Sequence, residues 1–116
     1  MIQCISAITL ATRDMVRAVG FYEALGFVLK EGGPLARFTS FHVGSGYLNL
    51  VLVQGDRAEA WWGRLIFYVD DVDTQHRRAV AAGLTPSFTP HDASWAERYF
   101  HIVDPDGHEL SFARPI

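Results

Sequence analysis

The chain contains the same pattern twice. Residues 9–27, TLATRDMVRAVGFYEALGF, match residues 66–84, IFYVDDVDTQHRRAVAAGL, in the order apolar stretch, Asp, helical pattern, Gly, apolar residue. Asp14 corresponds to Asp71 and Gly26 to Gly83. Both pairs lie 57 residues apart, and each Asp precedes its Gly by 12. A duplicated unit must form twice and bury its apolar face, which removes most alternative folds for a chain of 116 residues.

Each copy reads as strand, helix and three further strands. Residues 5–11 and 64–69 alternate as strands. Asp14 and Asp71 sit where a side-chain oxygen can cap a helix, and Gly26 and Gly83 supply the left-handed residue that ends one. Met15, Val19, Tyr22 and Leu25 fall near one face of the first helix. Val72, Val80 and Ala81 do so less completely in the second. Strands are expected at 27–31 and 84–88, then at 36–43 and 46–53 around Gly44-Ser45-Gly46, and at 98–103 and 108–113 around Asp104-Pro105-Asp106-Gly107. The expected class is α+β, two βαβββ modules in a single domain: module 1 over 2–54, a linker at 55–63, module 2 over 64–115. They would form a curled mixed sheet around a concave cavity. Ile8, Leu10, Leu48, Leu50, Leu52, Leu65, Phe67, Val69, Leu110 and Phe112 should face the helices. The alternate positions include Thr9, Asn49, Arg64, Tyr68, Glu109 and Ser111, too polar for a covered face and suited to a ligand-facing one.

Composition excludes other classes. Ten Lys and Arg against 13 Asp and Glu, with no basic cluster, do not make a nucleic-acid surface. No apolar run approaches a membrane span, and the N-terminal residues do not read as a secretory signal, so a cytoplasmic protein is expected. Cys4 is alone, so no internal disulfide forms, and it reads as a small core hydrophobe.

Arg13-Asp14, Phe21-Tyr22 and Leu25-Gly26-Phe27, then Phe67-Tyr68-Val69-Asp70-Asp71-Val72 and Asp104-Pro105-Asp106-Gly107-His108, resemble the vicinal oxygen chelate superfamily of glyoxalases, bleomycin-resistance proteins and extradiol dioxygenases. The resemblance spans nearly the whole chain. It implies paired βαβββ modules, a homodimer and, in catalytic members, a divalent metal held by one side chain from the first and the last strand of each module. Those positions carry over to Ala7, Asn49, Arg64 and Ser111. Ala7 has no donor atom, Arg64 is a fixed cation, and Asn49 and Ser111 offer only weak neutral oxygens. No metal and no other cofactor is therefore expected. A relocated metal could draw on Glu109 with His108, His101, His42 or Glu97, but His108 and Glu109 are adjacent on a strand and point to opposite sides. His76 and His91 read as surface residues.

The metal-free branch that the resemblance implies includes the bleomycin-resistance proteins, whose tryptophan-led loop resembles Ser94-Trp95-Ala96-Glu97-Arg98-Tyr99-Phe100. Trp61, Trp62, Phe38, Phe41, Tyr47, Tyr68 and Trp95 provide aromatic surface for stacking a flat ligand, about half of it facing the cavity. Phe38 and Phe41 differ by an odd number, so one of them faces the helices. Arg64 has two readings, a binder of an anionic group or an ion pair with Glu109 across the sheet. The serines lack a G-x-S-x-G setting, and a Ser111–His101 pairing would be fortuitous. The expected function is a metal-independent binder that sequesters an aromatic or antibiotic-like compound on Thr9, Asn49, Arg64, Tyr68, Trp95, Glu109 and Ser111, with no catalytic residue. The alternatives are a glyoxalase-like lyase or dioxygenase with a relocated metal, and an accessory domain with an empty cavity.

Overall fold

The computed structural model describes residues 1–54, 62 and 64–116. The chain divides into two compact units, residues 1–58 and 59–116. In the first, β1 (Ala7–Thr12), α1 (Met15–Ala24), β2 (Val28–Glu31), β3 (Phe38–Val43) and β4 (Gly46–Leu52) build a sheet of order β1-β4-β3-β2. In the second, β5 (Arg64–Tyr68), α2 (Val72–Ala81), β6 (His91–Asp92), β7 (Glu97–Val103) and β8 (Glu109–Pro115) build the order β5-β8-β7-β6. The first strand of each unit pairs in parallel with the last, and the other pairings are antiparallel. The fold is α+β, two βαβββ modules with one mixed four-stranded sheet each.

The local signals act as their chemistry requires. Asp14 and Asp71 are the N-caps, accepting from the backbone N–H of Arg17 and Thr74 at 3.0 Å each. Gly26 and Gly83 hold φ of 94° and 82° just past the helices, where a Cβ would be strained. In the Asp104–Gly107 turn the buried Asp104 carboxylate accepts from the backbone N–H of Asp106 at 2.9 Å and of His108 at 2.8 Å.

Each helix covers one face of its own sheet. Tyr22, Phe41, Leu48 and Leu50 are fully buried in the first unit, with the Tyr22 and Phe41 rings 5.7 Å apart. Phe100, Ile102, Leu110 and Phe112 do the same in the second, with Phe100 and Phe112 stacked at 5.5 Å. Of the odd-spaced pair, Phe41 is the buried ring and Phe38 the exposed one.

Three expectations need correction. The second strand of the second unit is His91–Asp92 and not 84–88. Pro86 and Pro90 lack the N–H that a ladder needs, and from 84–90 only Ser87 bonds to the neighbouring strand, to the His101 carbonyl at 2.8 Å. The buried face of α2 is Val72, Gln75 and Ala79, while Val80 and Ala81 are exposed. At about 100° per residue, Ala79 lies ~20° from Val72 around the helix and Val80 ~80°. Cys4 is exposed, as are all of residues 1–6, which precede β1 and belong to no helix or strand. Trp61 and most of the expected linker lie outside the described residues.

Candidate functional site

The side of the second sheet turned away from α2 carries the densest chemistry. Parallel pairing sets Arg64 beside Glu109, Ile66 beside Ser111 and Tyr68 beside Ala113. Antiparallel pairing sets Val103, His101 and Tyr99 beside the same three residues of β8. Because side chains alternate, all of these share one face. Arg64, Ile66, Trp95, Glu97, Tyr99, His101 and Ser111 line a pocket of about 300 Å³ there.

Two carboxylates organise this face. Glu109 accepts from Arg64 Nη2 at 3.0 Å with Oε2, and its Oε1 lies 3.2 Å from His101 Nδ1. Glu97 accepts from the Trp95 indole at 3.0 Å with one oxygen and from the Tyr68 hydroxyl with the other. Burial, and then the nearby Arg64 guanidinium, push the His101 imidazole below its ordinary value, with the Glu109 carboxylate opposing them. The hydrogen bond to Glu97 holds Tyr68 above the usual phenol value, so it stays protonated. With His101 neutral, Arg64 and Glu109 cancel and Glu97 leaves one formal negative charge.

Rings crowd the β6–β7 side. Tyr99 lies 4.6 Å from His91, 5.2 Å from His101 and 5.5 Å from Trp95, and Phe88 lies 5.0 Å from His101. Trp95 sits in the 93–96 turn, closed by the Ala96 N–H to the Ala93 carbonyl at 3.1 Å. Ala96 there takes a left-handed φ of 64°.

The seven sequence-predicted residues divide between the units. Arg64, Trp95 and Ser111 line the pocket, and Tyr68 and Glu109 are bonded to it through Glu97 and Arg64. Thr9 and Asn49 meet in the first unit, where the Asn49 amide donates to the Thr9 hydroxyl at 3.3 Å. Of the two readings of Arg64, the ion pair with Glu109 is the one present. The sequence pointed to Glu97 and His101 only as donors for a relocated metal and to His91 only as a surface residue, and it did not single out Tyr99 as a pocket residue or Phe88 as its neighbour. The period of two along β7 carried a signal, since residues 97, 99 and 101 share a face. Trp62 is half exposed and donates to His108 Nδ1 at 2.9 Å.

The donor set does not fit a divalent ion. Arg64 and Ser111 occupy the two positions that the resemblance assigns to metal ligands in the second unit, and Ala7 and Asn49 those of the first. Among the described residues no three His, Cys, Asp or Glu side chains gather as ligands. Among the described residues no hydrogen bond joins Ser111 to His101.

The glyoxalase/bleomycin resistance protein/dioxygenase superfamily model matches residues 5–112. The chain belongs to that superfamily. A superfamily likeness in three dimensions extends to a bleomycin-binding protein complexed with bleomycin, at a TM-score of 0.78 and 23% identity over 99% of this chain and 100% of that one. Lactoylglutathione lyase from Agrobacterium tumefaciens has a TM-score of 0.75 and 24% identity over 95% and 92%. Both likenesses show the superfamily fold alone. In sequence, 48 residues are 40% identical to an uncharacterised protein of Mycobacterium bovis, covering 41% of this chain and 32% of the relative. The chain thus matches about a third of that relative's length.

Proposed function

We propose that this superfamily member is a metal-independent binder of a flat aromatic compound, uncharged or cationic, which it holds without chemical change. The observation that carries the reading is the Arg64–Glu109 ion pair at 3.0 Å. A cation stands at a metal position, and its charge is already answered. The remaining carboxylate, Glu97, sits beside the Trp95 and Tyr99 rings, a combination that attracts cations through both charge and ring faces. The pocket volume lies at the lower end of the ~300–1,000 Å³ range of small-molecule sites. The likeness to a bleomycin-binding protein supports sequestration of an antibiotic-like compound. Such a protein would act in the cytoplasm as a single two-module domain, and we assign it a homodimeric state, which light scattering after size exclusion tests.

Calorimetric titration of neutral, cationic and anionic planar compounds tests the binding reading. Neutral and cationic members should bind, with anionic ones weakest. Trp95→Ala should weaken binding about tenfold, as expected when a central aromatic contact is removed. Uniform failure across the panel overturns the proposal.

A further inference from the structure

We propose that His101 is a dedicated hydrogen-bond acceptor in the pocket and selects a guest carrying a neutral ring hydroxyl. The inference rests on the binding function proposed above and names the chemical group that this function would recognise.

A carboxylate can only accept, so the 3.2 Å contact between His101 Nδ1 and Glu109 Oε1 places the ring hydrogen on Nδ1. The other nitrogen, Nε2, then presents a lone pair. Among the described residues nothing donates to it, and His101 lines the pocket. Arg64 holds the second oxygen of Glu109, so the carboxylate is fixed on both sides and with it the tautomer. The Phe88 and Tyr99 rings, 5.0 and 5.2 Å from the imidazole, limit its tilt. This is a preset acceptor, and a preset group costs little to use on binding.

The acceptor narrows the class of guest. An anionic oxygen would bring a lone pair against a lone pair. An ammonium group would be drawn to the Glu97 carboxylate. A neutral hydroxyl on a flat ring satisfies Nε2 and places its ring against Trp95 and Tyr99. The charged and titratable groups facing His101 are Arg64 on β5, Glu109 on β8, His91 on β6, and Tyr99 and Glu97 on β7. Burial and Arg64 together keep the imidazole neutral at pH 7, so the acceptor is available there and is lost in acid.

The test compares 2-naphthol with 2-methoxynaphthalene by calorimetry on the full chain. The two differ in having or lacking the donor hydrogen. We expect 2-naphthol to bind about tenfold more tightly at pH 7.5, the worth of one well-made hydrogen bond. The preference should shrink as the pH is lowered from 7.5 and should disappear in His101→Phe, which keeps a ring but removes the acceptor. Equal affinity of the two compounds for the wild-type chain at pH 7.5 overturns the inference and leaves the aromatic-binding function standing. Failure of both compounds and of the wider aromatic panel removes both. Should His101→Phe fail to fold, the wild-type comparison at pH 7.5 decides the question alone.

Discussion

Glu109 holds a guanidinium with one oxygen and an imidazole with the other, so its two neighbours act on each other through it. Arg64 lowers the proton affinity of His101 and Glu109 raises it. Arg64→Gln should therefore move the His101 pKa up, and Glu109→Gln should move it further down, as followed by imidazole NMR titration. Shifts in the same direction would contradict this arrangement. The depressed value also ties stability to pH. In the unfolded chain the ring takes its proton near about 6.5, while the folded ring does so only at lower pH. Between those two points the unfolded state binds more protons, so acid weakens the fold. The His101 contribution is complete above about pH 6.5 and fades as pH falls toward the folded value. Denaturant unfolding from pH 7.5 to 5 should show this slope reduced in His101→Phe.

Among the elements, the β6–β7 hairpin is the one that local rules read least well and the one that carries most of the pocket. Arg98 on β7 donates to Asp73 at 3.0 and 2.8 Å and to Asp92 at 3.0 Å, so the hairpin is strapped to the start of α2. Its turn forces Ala96 into a left-handed φ of 64°, which an L-residue with a Cβ adopts at a cost. Ala96→Gly should raise stability by about 0.5–1 kcal/mol in chemical denaturation, since removal of the strain outweighs the added freedom of the unfolded chain. A loss of stability would mean that the Ala96 methyl contributes packing to the turn. Legibility follows the range of the interaction. The Asp14 and Asp71 caps and the Asp104–Gly107 turn act over two to four residues, and each was readable from its own segment. The Arg64–Glu109 pair was readable as one of two options because the repeat placed both residues on one face. The gathering of Phe88, His91, Tyr99 and His101 depends on how a proline-interrupted loop re-enters the sheet, and no local pattern encodes that register.

For the whole molecule, the two-module layout explains why the positions that the resemblance assigns to metal ligands can carry other residues without loss of fold. The apolar face of each sheet is covered by its own helix, and the metal positions lie on the alternate residues of the strands, so a substitution there leaves Phe41, Leu50, Phe100 and Phe112 untouched. Each unit lacks strong donors at those positions in its own way. Ala7 offers nothing and Asn49 is engaged with Thr9 in the first, while Arg64 and Ser111 stand in the second. Among the described residues, the carboxylate–imidazole pair on the second sheet, Glu109 with His101, supplies two donors where a protein site for zinc needs three or four. An ion using Glu109 would also have to displace Arg64 from it, exchanging a satisfied ion pair for cation–cation repulsion. Purified protein should accordingly contain far less than one Zn, Ni, Mn or Fe per chain by elemental analysis. Added divalent ions should leave the melting temperature unchanged, since only a ligand that binds the folded state raises it. A stoichiometric ion together with a raised melting temperature, both abolished in Glu109→Gln, would reverse the metal-independent reading and favour a relocated catalytic centre.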